Sequence, residues 1–276
     1  MDTRPIGLFD SGAGGLHVAS AVHELLPAER LVYLADTARL PFGARPPAEL
    51  RAIAAELAAE LLARGAKVVV VACNSAESAA WDQLAASVPV PLVGVIGPAA
   101  EAAMAATSSG RIGLIGTKAT VAGGAYARAL AGREAVLVAR AAPALGELLH
   151  RPGQPERLMA AVDAAVRPLL AAGIDTLILG CTAYPLAEDL VRAAVGPGVT
   201  LVSSAGPTAA AVAGALAGAG LAAPADQADQ AGGHEILASG DLAAFAPLAR
   251  AVARFEARLL PLWLSPAARP AGRPGP

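Results

Sequence analysis

The sequence is short of the side chains that metal, disulfide and nucleic-acid chemistry require. Only two of its 276 residues are cysteine and four are histidine, with no C-x-x-C pair and no closely spaced histidine pair. A structural zinc site draws four ligands from thiolates and imidazoles, so no metal is expected, and two thiols cannot build a disulfide framework. Scarce cysteine, with no secretory leader ahead of residue 4, leads to the expectation of a reducing, cytoplasmic setting. Lysine and arginine number 21 against 23 acidic residues, for a net charge of −2, and the cations are scattered singly. They form neither a nucleic-acid footprint nor a polybasic membrane patch, so the expected partner is a small molecule.

Charge is also absent from residues 193–225, where Gly214 and Gly218 form a G-x-x-x-G resembling a membrane-helix packing motif. Alanine and glycine carry little transfer free energy, and Pro197, Pro207 and Pro224 interrupt the stretch. The reading is no membrane span, but a short strand over 199–202 and a buried helix from about Pro207.

Apolar residues, by contrast, make up 55% of the chain, ample for a buried core. Strand-like runs recur at residues 6–9, 31–34, 68–72, 92–96, 112–115, 136–139 and 176–179, each followed by small residues and an alanine-rich helical stretch. This alternation specifies an α/β fold with parallel sheets, and unbroken apolarity within the runs fits burial on both faces.

The sequence repeats once. "RPIGLFDSGAGG" (4–15) resembles "GRIGLIGTKATV" (110–121), and Cys73 lies 67 residues after Ile6 while Cys181 lies 69 after Ile112. The repeat aligns Asp10 with Gly116, Ser11 with Thr117, Cys73 with Cys181, Asn74 with Thr182 and Ser75 with Ala183. Two similar parallel-sheet α/β lobes related by a pseudo-two-fold are expected, with the active-site cleft between their strand ends. The sequence reading assigns residues 1–96 with 206–264 to the first lobe and 97–205 to the second. Residues 265–276, rich in Pro, Gly and Arg without periodicity, read as a disordered tail.

Each thiol ends an apolar strand and precedes helix-starting residues, in "VVVACNSA" (69–76) and "LGCTAYPL" (179–186). Unpaired amides and the helix dipole at such a position favour a thiolate. One cysteine there reads as a small packing residue; two at equivalent repeat positions read as a facing pair. Thiols on opposite sides of one carbon can remove a proton from one face and return one to the other, which is racemisation or epimerisation without a cofactor. "DSGAGG" (10–15) offers a glycine-rich turn to a carboxylate or phosphate, but His17 breaks the dinucleotide fingerprint. Asp10, at a strand end beside the cleft, is placed to orient an amine or a thiol. Of the histidines, His23 reads as a helix-surface residue, His234 as a strand residue, and His17 and His150 as structural.

These motifs together resemble the glutamate racemases of the aspartate and glutamate racemase superfamily. The matching stretches are "IGLFDSGAGGL" (6–16), "YLADTARLPFG" (33–43), "VVACNSA" (70–76), "VGVI" (93–96), "IGLIGTKAT" (112–120), "DTLILGCTAYPL" (175–186) and, more weakly, "SGDLAAF" (239–245). The resemblance implies a cytoplasmic bacterial enzyme that interconverts L- and D-glutamate for peptidoglycan, without pyridoxal phosphate or metal; a homodimer is left open. By the same resemblance Cys73 is the base acting on the D enantiomer, Cys181 the base acting on the L enantiomer, and Asp10 the acidic partner of the first thiol. Ser11, Phe42, Gly43, Asn74, Ser75, Thr117, Thr182 and Ala183 fall where the family contacts the amino acid.

Four departures stand out: Ala183 replaces the family's usual histidine, Phe42 its tyrosine and Ser75 its threonine, and residues 140–150 match poorly. Loss of an imidazole beside Cys181 leads to the expectation that its thiolate is the scarcer of the two. Three readings therefore stay open: a glutamate racemase; a superfamily racemase, isomerase or decarboxylase acting on another carboxylic acid; and a binding paralogue impaired in catalysis.

Overall fold

The computed structural model describes residues 2–149, 153–224 and 233–264, so His150 and residues 265–276 lie outside the described residues. Ten strands are present among them: β1 (Ile6–Asp10), β2 (Leu31–Ala35), β3 (Val68–Val71), β4 (Leu92–Gly94), β5 (Arg111–Gly116), β6 (Val136–Ala141), β7 (Thr176–Gly180), β8 (Thr200–Val202), β9 (Glu235–Ala238) and β10 (Arg258–Pro261). They form two sheets, ordered β10-β9-β2-β1-β3-β4 and β6-β5-β7-β8, in which every pairing is parallel. Each of the seven apolar runs contains a strand, and β1, β2, β3 and β7 are buried along their whole length. Continuous apolarity marks strands covered on both faces, as parallel sheets require.

The repeat in sequence is a repeat of topology. The inner order β2-β1-β3-β4 of the first sheet reappears as β6-β5-β7-β8 in the second. Ile6 stands opposite Val68 in one sheet and Ile112 opposite Thr176 in the other, so Cys73 and Cys181 follow matched register positions. In both sheets the chain leaves the first strand of the repeat for opposite neighbours, which opens a crevice at the carboxyl ends of β1/β3 and of β5/β7.

One face of each sheet contributes to a shared core. Ile6, Leu8, Val68 and Val70 of the first sheet and Ile112, Leu114 and Ile178 of the second join one cluster, with Ile96, Ala99, Ala100 and Ala103 of the helix Ile96–Ala106. Burying a side chain of this size contributes roughly 1.5–3 kcal/mol, so this layer holds the lobes together as well as each sheet. The outer faces pack separately, Phe9 and Val71 under the helix Pro47–Ala63 and Ile115 and Leu179 under Pro155–Ala171.

Three local readings change in the structure. Residues 95–96 are not strand, because the buried Glu77 carboxylate accepts the Val95 and Ile96 N–H groups at 2.6 and 3.0 Å and turns them into a helix start. The alanine-rich helix begins at Ala205, ahead of Pro207, and runs to Ala219, with Val212 and Leu216 buried and Gly214 and Gly218 facing open space. Among the described residues no helix is long and apolar enough to cross a membrane. His23 is half-buried: the returning chain covers part of it, placing its ring 5.0 Å from His234 and 5.4 Å from Phe255. His234 lies just before β9 and accepts the Leu31 N–H at Nδ1, 3.1 Å away.

At the amino ends of the strands, away from the crevices, Lys67 and Glu29 form an ion pair of 2.7 Å with side chains 0% and 4% exposed. Lys67 Nζ also donates to the carbonyls of Asp2 and Leu221, and Glu29 accepts the Ala223 N–H. Removing one member of such a pair strands a buried charge. Lys67→Met is therefore expected to lose about 3–5 kcal/mol of stability in urea titrations, with the double variant Lys67→Met/Glu29→Gln recovering much of it. Equal losses in the single and double variants would contradict this.

Candidate active site

The site is assembled from the carboxyl ends of the repeated strands. Asp10 closes β1, is 2% exposed, and accepts the Gly15 N–H at 2.7 Å and the Thr182 hydroxyl at 3.1 Å through one oxygen. The Ser11 hydroxyl lies 3.5 Å from its other oxygen. The Cys73 thiol is within hydrogen-bond reach of the same carboxyl. Thr182 belongs to the second sheet's crevice, so this carboxyl joins the two halves of the repeat.

Cys73 stands at the N-cap of the helix Asn74–Ser87, and Cys181 follows β7 directly. Strand-end position alone favours the thiolate, yet burial outweighs it at both cysteines. Burial and then the Asp10 charge push Cys73 far up, against the Ala76 N–H. Burial pushes Cys181 up to about 12, against the N–H groups of Ala183 and Tyr184. Both thiols, and not Cys181 alone, are thus held toward the neutral form, and Cys73 also has the Asp10 carboxyl within hydrogen-bond reach. Burial also raises Asp10, with Cys73 and backbone amides opposing.

The two halves touch closely around these groups. A Cβ on Gly14 would lie 2.7 Å from the Ala183 nitrogen, and one on Gly43 would lie 2.6 Å from the Thr117 Cβ, so both approaches need glycine. Ser75 and Thr117, aligned with Ala183 and Ser11 in the repeat, bond to each other at 2.8 Å, and Thr117 caps its own helix through the Thr120 N–H. Tyr126 donates to Asn74 Oδ1 at 2.8 Å, while Asn74 Nδ2 is buried without a partner.

Asp10, Ser11, Phe42, Gly43, Cys73, Asn74, Ser75, Thr117, Cys181, Thr182 and Ala183 all line one cavity of about 290 Å³. This is near the lower end of the range for small-molecule sites. Sequence reasoning missed several neighbours. Lys118 and Glu147 line the cavity, Tyr184 lies beneath it with its hydroxyl on the Ala142 carbonyl, and Tyr126 orients Asn74. Lys118 was within reach as the neighbour of Thr117, whereas Glu147 lies in the stretch that matches the family poorly. His17 is half-buried and does not line the cavity.

The chain belongs to the Asp/Glu/Hydantoin racemase family, whose model matches residues 6–215. As a member it is an enzyme of the isomerase class. A glutamate racemase of a Parafrankia species is 45% identical over 252 residues, 91% of this chain and 91% of that protein. A glutamate racemase isoform of Bacillus anthracis matches in structure with a TM-score of 0.87 and 33% identity, covering 94% of this chain and 97% of that one. The glutamate racemase of Thermus thermophilus, solved in complex with β-chloro-D-alanine, matches with a TM-score of 0.83 and 38% identity over 97% of this chain and 100% of that one.

The raised thiols have a consequence for stability. Below about pH 8.5 both folded and unfolded chains keep the Cys181 proton; above it the unfolded chain releases the proton and the folded chain does not. Stability should therefore fall with rising pH, by up to about 1.4 kcal/mol per pH unit for each such thiol, and for Cys181 the fall continues toward about 12. Urea titrations at pH 8 and pH 10 are expected to show a smaller loss for Cys181→Ala than for the unsubstituted protein. Equal losses would mean that the thiol is not held neutral.

Proposed function

We propose that this protein interconverts L- and D-glutamate by direct proton transfer between two thiols and the α-carbon. The observation that carries the reading is the pair itself: Cys73 and Cys181 end matched strands and line the same cavity. In this scheme Cys73 acts on the D enantiomer and Cys181 on the L enantiomer. One thiolate takes the α-proton, the electron pair passes into the α-carboxylate, and the opposite thiol protonates the other face. The acceptor thiol keeps the substrate's proton and the donor is left as thiolate, ready for the reverse reaction or for exchange with water.

Asp10 would hold the substrate ammonium, supported by its buried carboxyl and by the Thr182 and Ser11 hydroxyls beside it. Asn74 Nδ2 suits the α-carboxylate, since a buried donor with no protein partner is costly unless the substrate supplies one. Ser75, Thr117 and the 42–43 turn complete the enclosure. Substrate positive charge near the thiols would draw down pKa values that burial has raised, so thiolate would form mainly in the occupied site. Supply of D-glutamate to peptidoglycan in the cytoplasm, lobes of residues 1–96 with 206–264 and 97–205, and assembly as a homodimer belong to the same proposal.

The reading is tested by α-proton exchange of each enantiomer in deuterated water, followed by NMR on reduced protein. Exchange of both enantiomers is expected, and Cys73→Ser should lower it by at least about 10²-fold, the lower end of what a positioned acid or base contributes. Absence of exchange at millimolar glutamate would remove the reading. Ala183 lines the cavity beside Cys181 and is 4% exposed. Ala183→His should move the pH dependence of exchange from L-glutamate to lower pH and leave that from D-glutamate in place. An unmoved profile in an active variant would show that Cys181 needs no imidazole, or that the natural substrate is another carboxylic acid.

A further inference from the structure

Two of the family-like stretches, "DTAR" (36–39) and "SGD" (239–241), supply no side chain to the cavity, yet they meet in space. Arg39 Nε lies 2.5 Å from Asp36 Oδ2 and Arg39 Nη1 lies 2.6 Å from Glu56 Oε2, with the Arg39 and Asp36 side chains 6% and 0% exposed. The Ser239 hydroxyl donates to Asp36 Oδ1 at 2.7 Å and accepts the Ala38 N–H at 3.1 Å. Thr37 Oγ1 accepts the Gly240 N–H at 2.9 Å. The Arg39 carbonyl accepts Arg45 Nε at 2.6 Å, which closes the segment from its far end.

Between Arg39 and Arg45 lie residues 40–44, all of which line the cavity and none of which has a titratable side chain. This wall can contribute shape and backbone amides to a bound molecule, but it can move no proton. Its placement depends on the buried cluster behind it, because Phe42 is sunk into the core and Gly43 abuts Thr117 of the other half.

We propose that Arg39 is a positioning residue for the substrate: clasped by Asp36 and Glu56, and through Asp36 by Ser239, it sets the 40–44 wall and so governs substrate affinity without acting in proton transfer. The proposal rests on reading the cavity as a glutamate site. Its planar guanidinium bonds two carboxylates at once, a geometry that lysine's single ammonium does not reproduce.

The test uses the full chain with Ser239→Ala and, separately, Arg39→Lys, the first being mild enough to preserve the fold. Exchange kinetics for each glutamate enantiomer are measured together with amide hydrogen exchange of residues 40–44 in substrate-free protein. Loss of a buried charge-assisted bond should raise KM about tenfold for both enantiomers while kcat stays within about twofold. Amide exchange at 40–44 should quicken about tenfold, with residues 73–75 and 181–184 unchanged. Unchanged KM and unchanged protection would overturn the proposal, as would a fall in kcat at constant KM. If the unsubstituted protein exchanges neither enantiomer, the glutamate reading falls instead, and the amide measurement alone decides the role of Arg39.

Discussion

The carboxyl of Asp10 is the contact on which the site depends. It takes an N–H from its own glycine-rich turn, a hydroxyl from the opposite half of the repeat and the thiol of Cys73. A buried carboxyl left without partners is costly, so the turn, the strand end and the opposing lobe are held to one arrangement. The glycines follow from it: only a residue without a side chain lets the 12–15 turn approach the backbone of Thr182 and Ala183 this closely. A shared apolar core between the sheets packs the two halves against each other at that approach.

Burial that orders the site also opposes the charges its chemistry needs. Both thiols are pushed up, and Cys73 has a carboxyl as its neighbour. A thiolate that forms reluctantly is a stronger base once formed, which suits a weakly acidic carbon–hydrogen bond. Thiolate formation is therefore expected in the occupied site, where a substrate ammonium would offset the carboxyl. Both thiols feel the Asp10 charge and face backbone N–H groups, one from Ala76 at Cys73 and two from Ala183 and Tyr184 at Cys181, and Cys73 alone has the Asp10 carboxyl within hydrogen-bond reach.

Much of this was legible in the sequence because parallel strands covered on both faces leave unbroken apolar runs, and because the repeat spaces Ile6 from Cys73 nearly as it spaces Ile112 from Cys181. The repeat alone placed Cys73, Cys181 and Asp10 at strand ends beside one cleft, whereas Asn74 and Thr117 were named as site residues through the resemblance to glutamate racemases. What escaped depends on tertiary contact. Glu77 decides where β4 ends, through bonds to Val95 and Ile96 beyond the strand; Tyr126 reaches Asn74 from the other half of the repeat; His23 is half-covered by a segment that returns from the far end of the chain. A strand end likewise shows the helix dipole but not the depth of burial, which pushes both thiols up. The strands β9 (EILA) and β10 (RLLP) are each only four residues long, too short for an apolar run to mark them, and are defined by the sheet edge they extend.

The central claim is that two monoprotic thiols serve opposite faces of one carbon. The most direct measurement is the isotopic fate of the α-hydrogen when L-glutamate is converted in deuterated water and stopped at low conversion. The account predicts that D-glutamate formed first carries deuterium at Cα, while unreacted L-glutamate remains largely protiated, because the proton removed by Cys181 returns only to the face it left. D-glutamate that retains the substrate's own hydrogen would indicate a single base serving both faces, and would contradict the account.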